Sequence, residues 1–175
     1  MEWNNVLSGG YENVLKTLER ALDGLSEDDL NWQPNPECNS IGWLVWHLTR
    51  VQDGLISSSM GEEQLWIKDG WHAKFGRRAD AQDVGAGHTP KDLARFKSPG
   101  ASVLLDYHRA VMERSKRFFA TLSKVDLDKE FKGPMSQPPR NIGTILIMTL
   151  SDNLQHAGQV AYIRGLRQGM GWQKF

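Results

Sequence analysis

Asp152 and His156 are the residues whose types and spacing most clearly suggest chemistry. They lie four positions apart in a segment, about Asn141 to Arg167, whose apolar residues recur every three or four positions. The sequence therefore predicts a helix with both side chains on one face. The inward-facing positions 142, 145 and 149 of this helix are three or four residues apart, and the same spacing leads to 152 and 156. Asp152 and His156 are therefore expected on the buried face of the helix. Burying two such groups without partners costs on the order of several kcal/mol. They form either an ion pair of helical spacing or two ligands of a cation, and the spacing alone does not decide.

A third candidate ligand, His47, lies beside the apolar stripe of another predicted helix. A histidine taken by itself is more often a core residue that is hydrogen-bonded to a neighbour. Two imidazoles and a carboxylate that converge between helices, however, suit zinc, nickel, iron or manganese. Three protein ligands also leave coordination positions for water or substrate, as in catalytic rather than structural sites. The three residues are therefore a candidate metal-binding set.

Four long amphipathic segments supply the helices that must position these residues. They run from about Trp3 to Asp23, from Asn39 or Ser40 to about Ser57–Ser59, from Ser98 to about Ser123, and from Asn141 to Arg167. Alternating strand patterns of useful length are absent from the sequence. The sequence therefore predicts an all-α fold, a four-helix bundle in which a long crossover connection joins the second and third helices.

The connection, residues 61–98, sets aromatic residues in a polar, Gly- and Asp-rich background. We expect a short helix around Glu62–Phe75, an irregular stretch over 76–88, and a second short helix capped by Thr89 with Pro90 at its first position. A connection of this length is usually functional or disordered, and its aromatic content argues against disorder. We predict a single domain, 1–175, with the connection as a lid over the site.

Composition excludes several classes of partner. Among the 175 residues, basic and acidic side chains balance at 21 each, so no nucleic acid or anionic membrane surface is expected as a partner. No apolar run approaches the length of a transmembrane helix. The single cysteine, Cys38, excludes an internal disulfide and favours a reducing, cytoplasmic compartment. The expected partner is a small-molecule substrate.

Several stretches of the chain are similar to one known family. Ile41–Leu48 (IGWLVWHL) and Asp152–Gly165 (DNLQHAGQVAYIRG) resemble the second-helix and last-helix motifs of the DinB-like superfamily. Further segments are similar to a branch of it that includes proteins assigned as mycothiol-dependent: Leu65-Trp66, Asp69–Trp71, Phe75-Gly76, Gly87–Pro90 and Tyr107-His108. The resemblance thus runs along nearly the whole chain.

The resemblance implies a four-helix bundle that binds a divalent metal ion, with zinc or nickel favoured. One ligand comes from the second helix and two from the fourth, which in this chain are His47, Asp152 and His156. Many members have histidine at the position of Asp152, whereas the mycothiol-dependent maleylpyruvate isomerases have glutamate. Aspartate is one methylene shorter, so both direct and water-mediated ligation stay open.

The resemblance also implies an activity, a thiol-dependent S-transfer. In such an enzyme the metal activates a low-molecular-weight thiol, such as mycothiol, bacillithiol or glutathione, to attack an electrophilic substrate. The alternatives are a metal-dependent hydrolase with activated water, a non-haem iron oxygenase, and a non-catalytic stress-response binding protein in which Asp152 and His156 are a satisfied polar pair. A homodimer is the oligomeric state that the resemblance implies.

Five further residues are candidates for substrate binding. Trp43, Trp46 and Trp71 are predicted to line a pocket near the metal, and core packing is the alternative for each. Arg50, one turn beyond His47, is predicted either to bind an anionic substrate group or to face solvent. For His88 the alternatives are a role at the metal site and a hydrogen bond within its loop.

Overall fold

The chain is all-α, as predicted. The computed structural model describes residues 2–134 and 137–173, so positions 1, 135–136 and 174–175 of the predicted domain lie outside the described residues. The helices are α1 (Trp3–Leu22), α2 (Glu27–Asn31), α3 (Ile41–Met60), α4 (Leu65–Lys68), α5 (Trp71–Lys74), α6 (Pro90–Arg95), α7 (Ala101–Thr121) and α8 (Ile142–Gln168), with a 3-10 turn at Val125–Asp128. None of the helices in these ranges is long and apolar enough to cross a bilayer.

Side-chain caps set the starts of α3, α6 and α8, as predicted. The Ser40 hydroxyl accepts a hydrogen bond from the backbone N–H of Trp43 at the start of α3, and Asn141 caps α8 in the same way. Thr89 caps α6 with Pro90 at the first position, as expected. These caps satisfy N–H groups that have no partner within the helix.

The single short helix predicted over Glu62–Phe75 is wrong. The segment forms two short helices, α4 and α5, separated by Asp69 and Gly70. Gly70 has a φ of +69°, a left-handed conformation that glycine adopts without the steric cost that a Cβ imposes. The chain therefore turns here instead of continuing the helix.

Helix α3 runs parallel to α7. The hydroxyl of Thr49 lies 3.0 Å from Nδ1 of His108, and further along both helices Gln52 donates to the hydroxyl of Ser115 at 2.8 Å. Because both partners advance together, the two helices point the same way. Consecutive long helices that are parallel need a connection that returns the chain to the starting end, which accounts for the length of the segment between them.

Helix α3 is the most enclosed of the long helices. Fifteen of its twenty residues are buried, because α7 and α8 pack on it and the connection covers a further face. Its apolar side chains join two clusters in the core. A helix buried on so many sides presents polar side chains to protein rather than to water, so each of them needs an internal partner.

Asp53 is the clearest example of such a buried polar side chain. Its carboxylate accepts hydrogen bonds from the backbone N–H groups of Leu65 at 3.0 Å and Trp66 at 2.8 Å, and from the hydroxyl of Tyr107 at 2.8 Å. The guanidinium of Arg114 lies 3.9 Å away. Asp53 therefore fixes the start of α4, and with it the beginning of the connection, to α3.

His108 is buried completely on α7. The Thr49 hydroxyl donates to the carbonyl of Val45 at 2.8 Å, so it accepts the hydrogen bond from Nδ1–H of His108. Nε2 of His108 has no partner in the described part of the chain. Burial lowers the pKa of His108 to about 4 from its usual 6.5, so the folded protein holds this ring neutral.

Stability should therefore fall as the pH drops from 6.5 to 4. In that pH range His108 is protonated in the unfolded chain but not in the folded chain. The free energy of unfolding should therefore fall by about 3 kcal/mol across the range. Urea unfolding of metal-free protein at several pH values should show a weaker pH dependence in His108→Gln than in the wild type. Equal slopes in the two proteins would contradict the role of His108.

Candidate metal centre

The structure brings the three predicted ligands together. His47 comes from α3 and Asp152 and His156 from α8, and one potential ligand atom from each lies within 4.8 Å of the others. Nε2 of His156 is 3.4 Å from a carboxylate oxygen of Asp152. Their side chains are 19% and 30% exposed, so the set lies at the edge of the core rather than on the fully buried stripe that the sequence predicted. An edge position leaves the cluster accessible to small molecules.

The antiparallel packing of α3 and α8 produces this convergence. The rings of His47 and His156 meet edge to face with centroids 4.8 Å apart. Five residues further along α3, Gln52 accepts a hydrogen bond from the Asn153 amide at 2.5 Å. Residue numbers thus rise along α3 while those of the contacting residues on α8 fall, so the two helices are antiparallel and His47 lies opposite His156. The buried Gln52–Asn153 bond fixes this alignment.

His47 presents its Nε2 atom. Its Nδ1 atom is hydrogen-bonded to the backbone carbonyl of Val84, and a carbonyl only accepts, so the proton is on Nδ1. The ring stacks on Trp43, with centroids 4.7 Å apart and an angle of 11° between the planes. Burial lowers the pKa of His47, which favours the neutral ring that a metal ion requires.

His156 presents the same atom. Its Nδ1 lies 2.7 Å from the side-chain oxygen of Gln159, one turn further along α8, so this ring also donates from Nδ1 and directs Nε2 towards Asp152. The hydrogen bond to the Asp152 carboxylate is the largest effect that raises the pKa of His156. Outer partners of this kind fix the orientation of imidazole ligands in metal sites.

One carboxylate oxygen of Asp152 indicates that the cluster suits a cation. Its Oδ2 atom is buried and has no hydrogen-bond partner among the described residues. A buried carboxylate oxygen without a donor is costly. The other oxygen of the same carboxylate, Oδ1, lies 3.4 Å from Nε2 of His156, and His47 belongs to the same cluster. Two nitrogens and one carboxylate oxygen are a donor set for zinc, nickel or another divalent transition metal, so these residues fit the predicted ion.

Arg50 does not take either of its predicted roles. Its side chain is fully buried, so it does not face solvent. The five N–H donors of a guanidinium are occupied by Gln64, Tyr107 and three backbone carbonyls of the connection, those of Asp80, Ala81 and Asp83. No donor is left for a substrate anion, and Arg50 instead holds the connection on α3.

Trp43, Trp46 and His88 form one aromatic group beside His47. The indole N–H of Trp43 donates to Nδ1 of His88 at 3.0 Å, and the His88 ring stacks on Trp46 with centroids 5.8 Å apart. Nε2 of His88 lies 3.3 Å from the carboxylate of Asp83. His88 therefore makes hydrogen bonds within the connection and to α3, while Trp43 is the member of the group that contacts a candidate ligand.

Trp71 belongs to the same hydrophobic cluster as Trp43 and Trp46. Its ring packs on Tyr107, with centroids 5.1 Å apart, and the ammonium group of Lys74 lies 4.0 Å from its centroid. It is 8% exposed. These contacts match the packing alternative for Trp71.

Two residues that orient the candidate ligands were not predicted. Gln159 lies three positions after His156, a helical spacing that the sequence does show, so a search for partners on the same face would have found it. Val84 acts through its backbone carbonyl, which has no counterpart in any side-chain pattern. Its contact with His47 spans 37 positions and depends on the path of the connection.

Replacing Asp152 by asparagine should lower the pKa of His156 in the metal-free protein. The substitution removes the carboxylate that stabilises the protonated ring. An NMR titration of the His156 ring in wild type and Asp152→Asn measures the difference. The control is Asp106→Asn, which removes an exposed carboxylate from α7 and should leave the His156 titration unchanged. An unaltered midpoint in Asp152→Asn would contradict the pairing.

Comparisons with known proteins bear on the family and the fold of the chain. The sequence profile of the DinB superfamily matches residues 11–160. A crystal structure described as the conserved protein of locus from Enterococcus faecalis is similar, with a TM-score of 0.87 and 25% sequence identity over 97% of this chain and 99% of that one. The comparison with curated proteins gave no match. Since the profile covers most of the sequence, the chain belongs to the DinB superfamily.

Proposed function

We propose that this protein is a divalent-metal-dependent enzyme that transfers a low-molecular-weight thiol to an electrophilic substrate. The observation that carries the metal dependence is the cluster of His47, Asp152 and His156, in which one potential ligand atom of each lies within 4.8 Å of the others, together with the buried, unpartnered Oδ2 of Asp152. The superfamily to which the chain belongs includes metal-dependent enzymes, which supports the proposal.

Each residue of the metal centre would have a separate role in this reaction. His47, Asp152 and His156 bind the ion, which when bound lowers the pKa of a coordinated thiol or water. The carbonyl of Val84 and the side chain of Gln159 hold the two imidazoles in the orientation that presents Nε2. The partly exposed edge between α3 and α8 admits the reactants. In the transfer, the thiol would lose its proton to solvent, a bond would form between its sulfur and the electrophilic carbon, and the leaving group would depart with the electron pair of its bond to that carbon.

The thiol is supported by sequence similarity. The stretch that contains both α8 ligands resembles the last-helix motif of the superfamily, and several segments of the connection resemble the branch with mycothiol-dependent members. Mycothiol, bacillithiol and glutathione are the candidate co-substrates.

The four-helix bundle architecture is part of this proposal. Helices α1, α3, α7 and α8 make their main contacts in the pairs α3–α8, α3–α7, α1–α8 and α1–α7. That arrangement of neighbours supports a bundle in which the ligands come from one adjacent pair of helices. It also supports the placement of the site at a helix interface near the surface.

Hydrolysis is the second candidate function. The side chains of Asp152 and His156 are partly exposed, so water reaches the same ion that would activate a thiol. Activated water would then attack an ester or amide carbon. The ligands would be the same, and only the nucleophile would differ.

Protein purified without chelators should contain about one divalent ion per chain, because three ligands suffice for a catalytic site. His156→Ala and His47→Ala should each lose most of it, since two ligands rarely retain such an ion. The matched control, His72→Ala, removes a histidine outside the cluster and should keep the metal. Elemental analysis measures all four proteins, and zinc titration of chelator-treated protein confirms the stoichiometry. Equal and negligible metal in every protein would sink the proposal.

The zinc- or nickel-loaded protein should accelerate the consumption of a thiol by a chlorodinitrobenzene electrophile. Chelator treatment and His156→Ala should return the rate to that of the protein-free reaction, because both remove the activated thiol. Mycothiol, bacillithiol and glutathione are compared under identical conditions by titration of the remaining free thiol. Acceleration of ester hydrolysis without any thiol consumption would support the hydrolase and exclude the transferase.

A further inference from the structure

We propose that the connection segment Asp80–Gly85 is a functional part of the metal centre because it sets the tautomer of His47. On this account Arg50 and Gly85 are positioning residues for a ligand that neither of them touches. The proposal rests on the proposed function for its metal-binding consequence. Its structural claim, that the segment fixes the proton on Nδ1 of His47, concerns the metal-free protein and is tested independently.

The tautomer follows from the acceptor. A neutral imidazole carries its proton on one nitrogen and has a lone pair on the other, and the hydrogen bond made by one nitrogen decides which. Nδ1 of His47 is bonded to the carbonyl of Val84. With that carbonyl in place, Nε2 has the lone pair and is the atom available to a metal. Without it, nothing else described at Nδ1 holds the proton there.

Arg50 holds the backbone that supplies this carbonyl. Its guanidinium donates to the carbonyl oxygens of Asp80, Ala81 and Asp83, each at 3.2 Å, and the last of these immediately precedes Val84. Arg50 also lies three positions after His47 on α3. The ligand and the side chain that delivers its hydrogen-bond acceptor are therefore on one rigid helix, so their relative position is fixed.

Gly85 sets the other end of the segment. Its φ is +88°, and a Cβ added there would lie 2.6 Å from the ring of Trp43 and 2.9 Å from that of Trp46. The backbone thus rests directly on the indole that stacks against His47. A side chain at position 85 must push the segment away from α3, and the carbonyl of Val84 moves with it.

Two glycines in the same loop give a matched test. Gly85→Ala introduces both the strain of a positive φ and the collision with the two indoles. Gly87→Ala introduces a similar strain, since its φ is +80°, but a Cβ at that position has nothing within 4 Å. Any difference between the two variants therefore reports the displacement of the segment rather than the loss of glycine flexibility.

The first measurement is the ¹⁵N NMR spectrum of the His47 ring in chelator-treated protein, at a pH where the ring is neutral. Wild type and Gly87→Ala should show the proton on Nδ1, and Gly85→Ala should lose this signature. The second is zinc affinity by competition with a chromophoric chelator. Gly85→Ala should bind zinc about 10- to 100-fold more weakly than Gly87→Ala, the range seen when an outer partner of a ligand is removed.

Arg50→Lys provides a second route if Gly85→Ala does not fold. Lysine keeps the positive charge beside Asp53 but replaces the planar fork of five donors by three on one nitrogen, so it should produce the same two changes. A wild-type His47 protonated on Nε2, or a folded Gly85→Ala with the wild-type tautomer and the zinc affinity of Gly87→Ala, would overturn the inference. A wild-type protein that binds no zinc would refute the proposed function instead. The inference about Asp80–Gly85 would then still be decided by the tautomer of His47 in Gly85→Ala and Gly87→Ala.

Discussion

The burial of Arg50 and Asp53 on α3 is the constraint on which the rest of the structure depends. Both side chains are withdrawn from solvent, and a buried charge that lacks partners costs on the order of several kcal/mol. The connection supplies those partners, with the carbonyls of residues 80, 81 and 83 for Arg50 and amide N–H groups of α4 for Asp53. The long connection is therefore held on α3 by charge compensation as well as by its aromatic side chains.

This compensation links the fold to the candidate metal centre. Parallel α3 and α7 require a connection that crosses from one end of the helices to the other. Because Arg50 lies one turn from His47, the docked connection passes over the ligand and delivers the carbonyl of Val84 to it. The predicted lid is in this sense more than a cover, since it contributes a hydrogen bond that prepares one ligand. The second imidazole is prepared locally, by Gln159 on its own helix.

Sequence reasoning succeeded where the determinants are local. The caps at Ser40, Thr89 and Asn141 depend on residue type within one turn, and the spacing of Asp152 and His156 fixes their common face. It failed for Arg50, because the guanidinium binds backbone carbonyls some thirty positions away and carbonyls carry no sequence pattern. It also placed Asp152 and His156 too deep, because helical periodicity identifies a face but not where a neighbouring helix stops covering it.

The central claim is that His47, Asp152 and His156 form one metal-binding set. Anomalous diffraction at the zinc absorption edge, from crystals of the protein grown with zinc, tests it most directly. A strong peak is expected within bonding distance of Nε2 of both histidines, with a carboxylate oxygen of Asp152 bonded to the ion either directly or through one water. A well-diffracting crystal with zinc peaks elsewhere on the protein and none between these three side chains would contradict it.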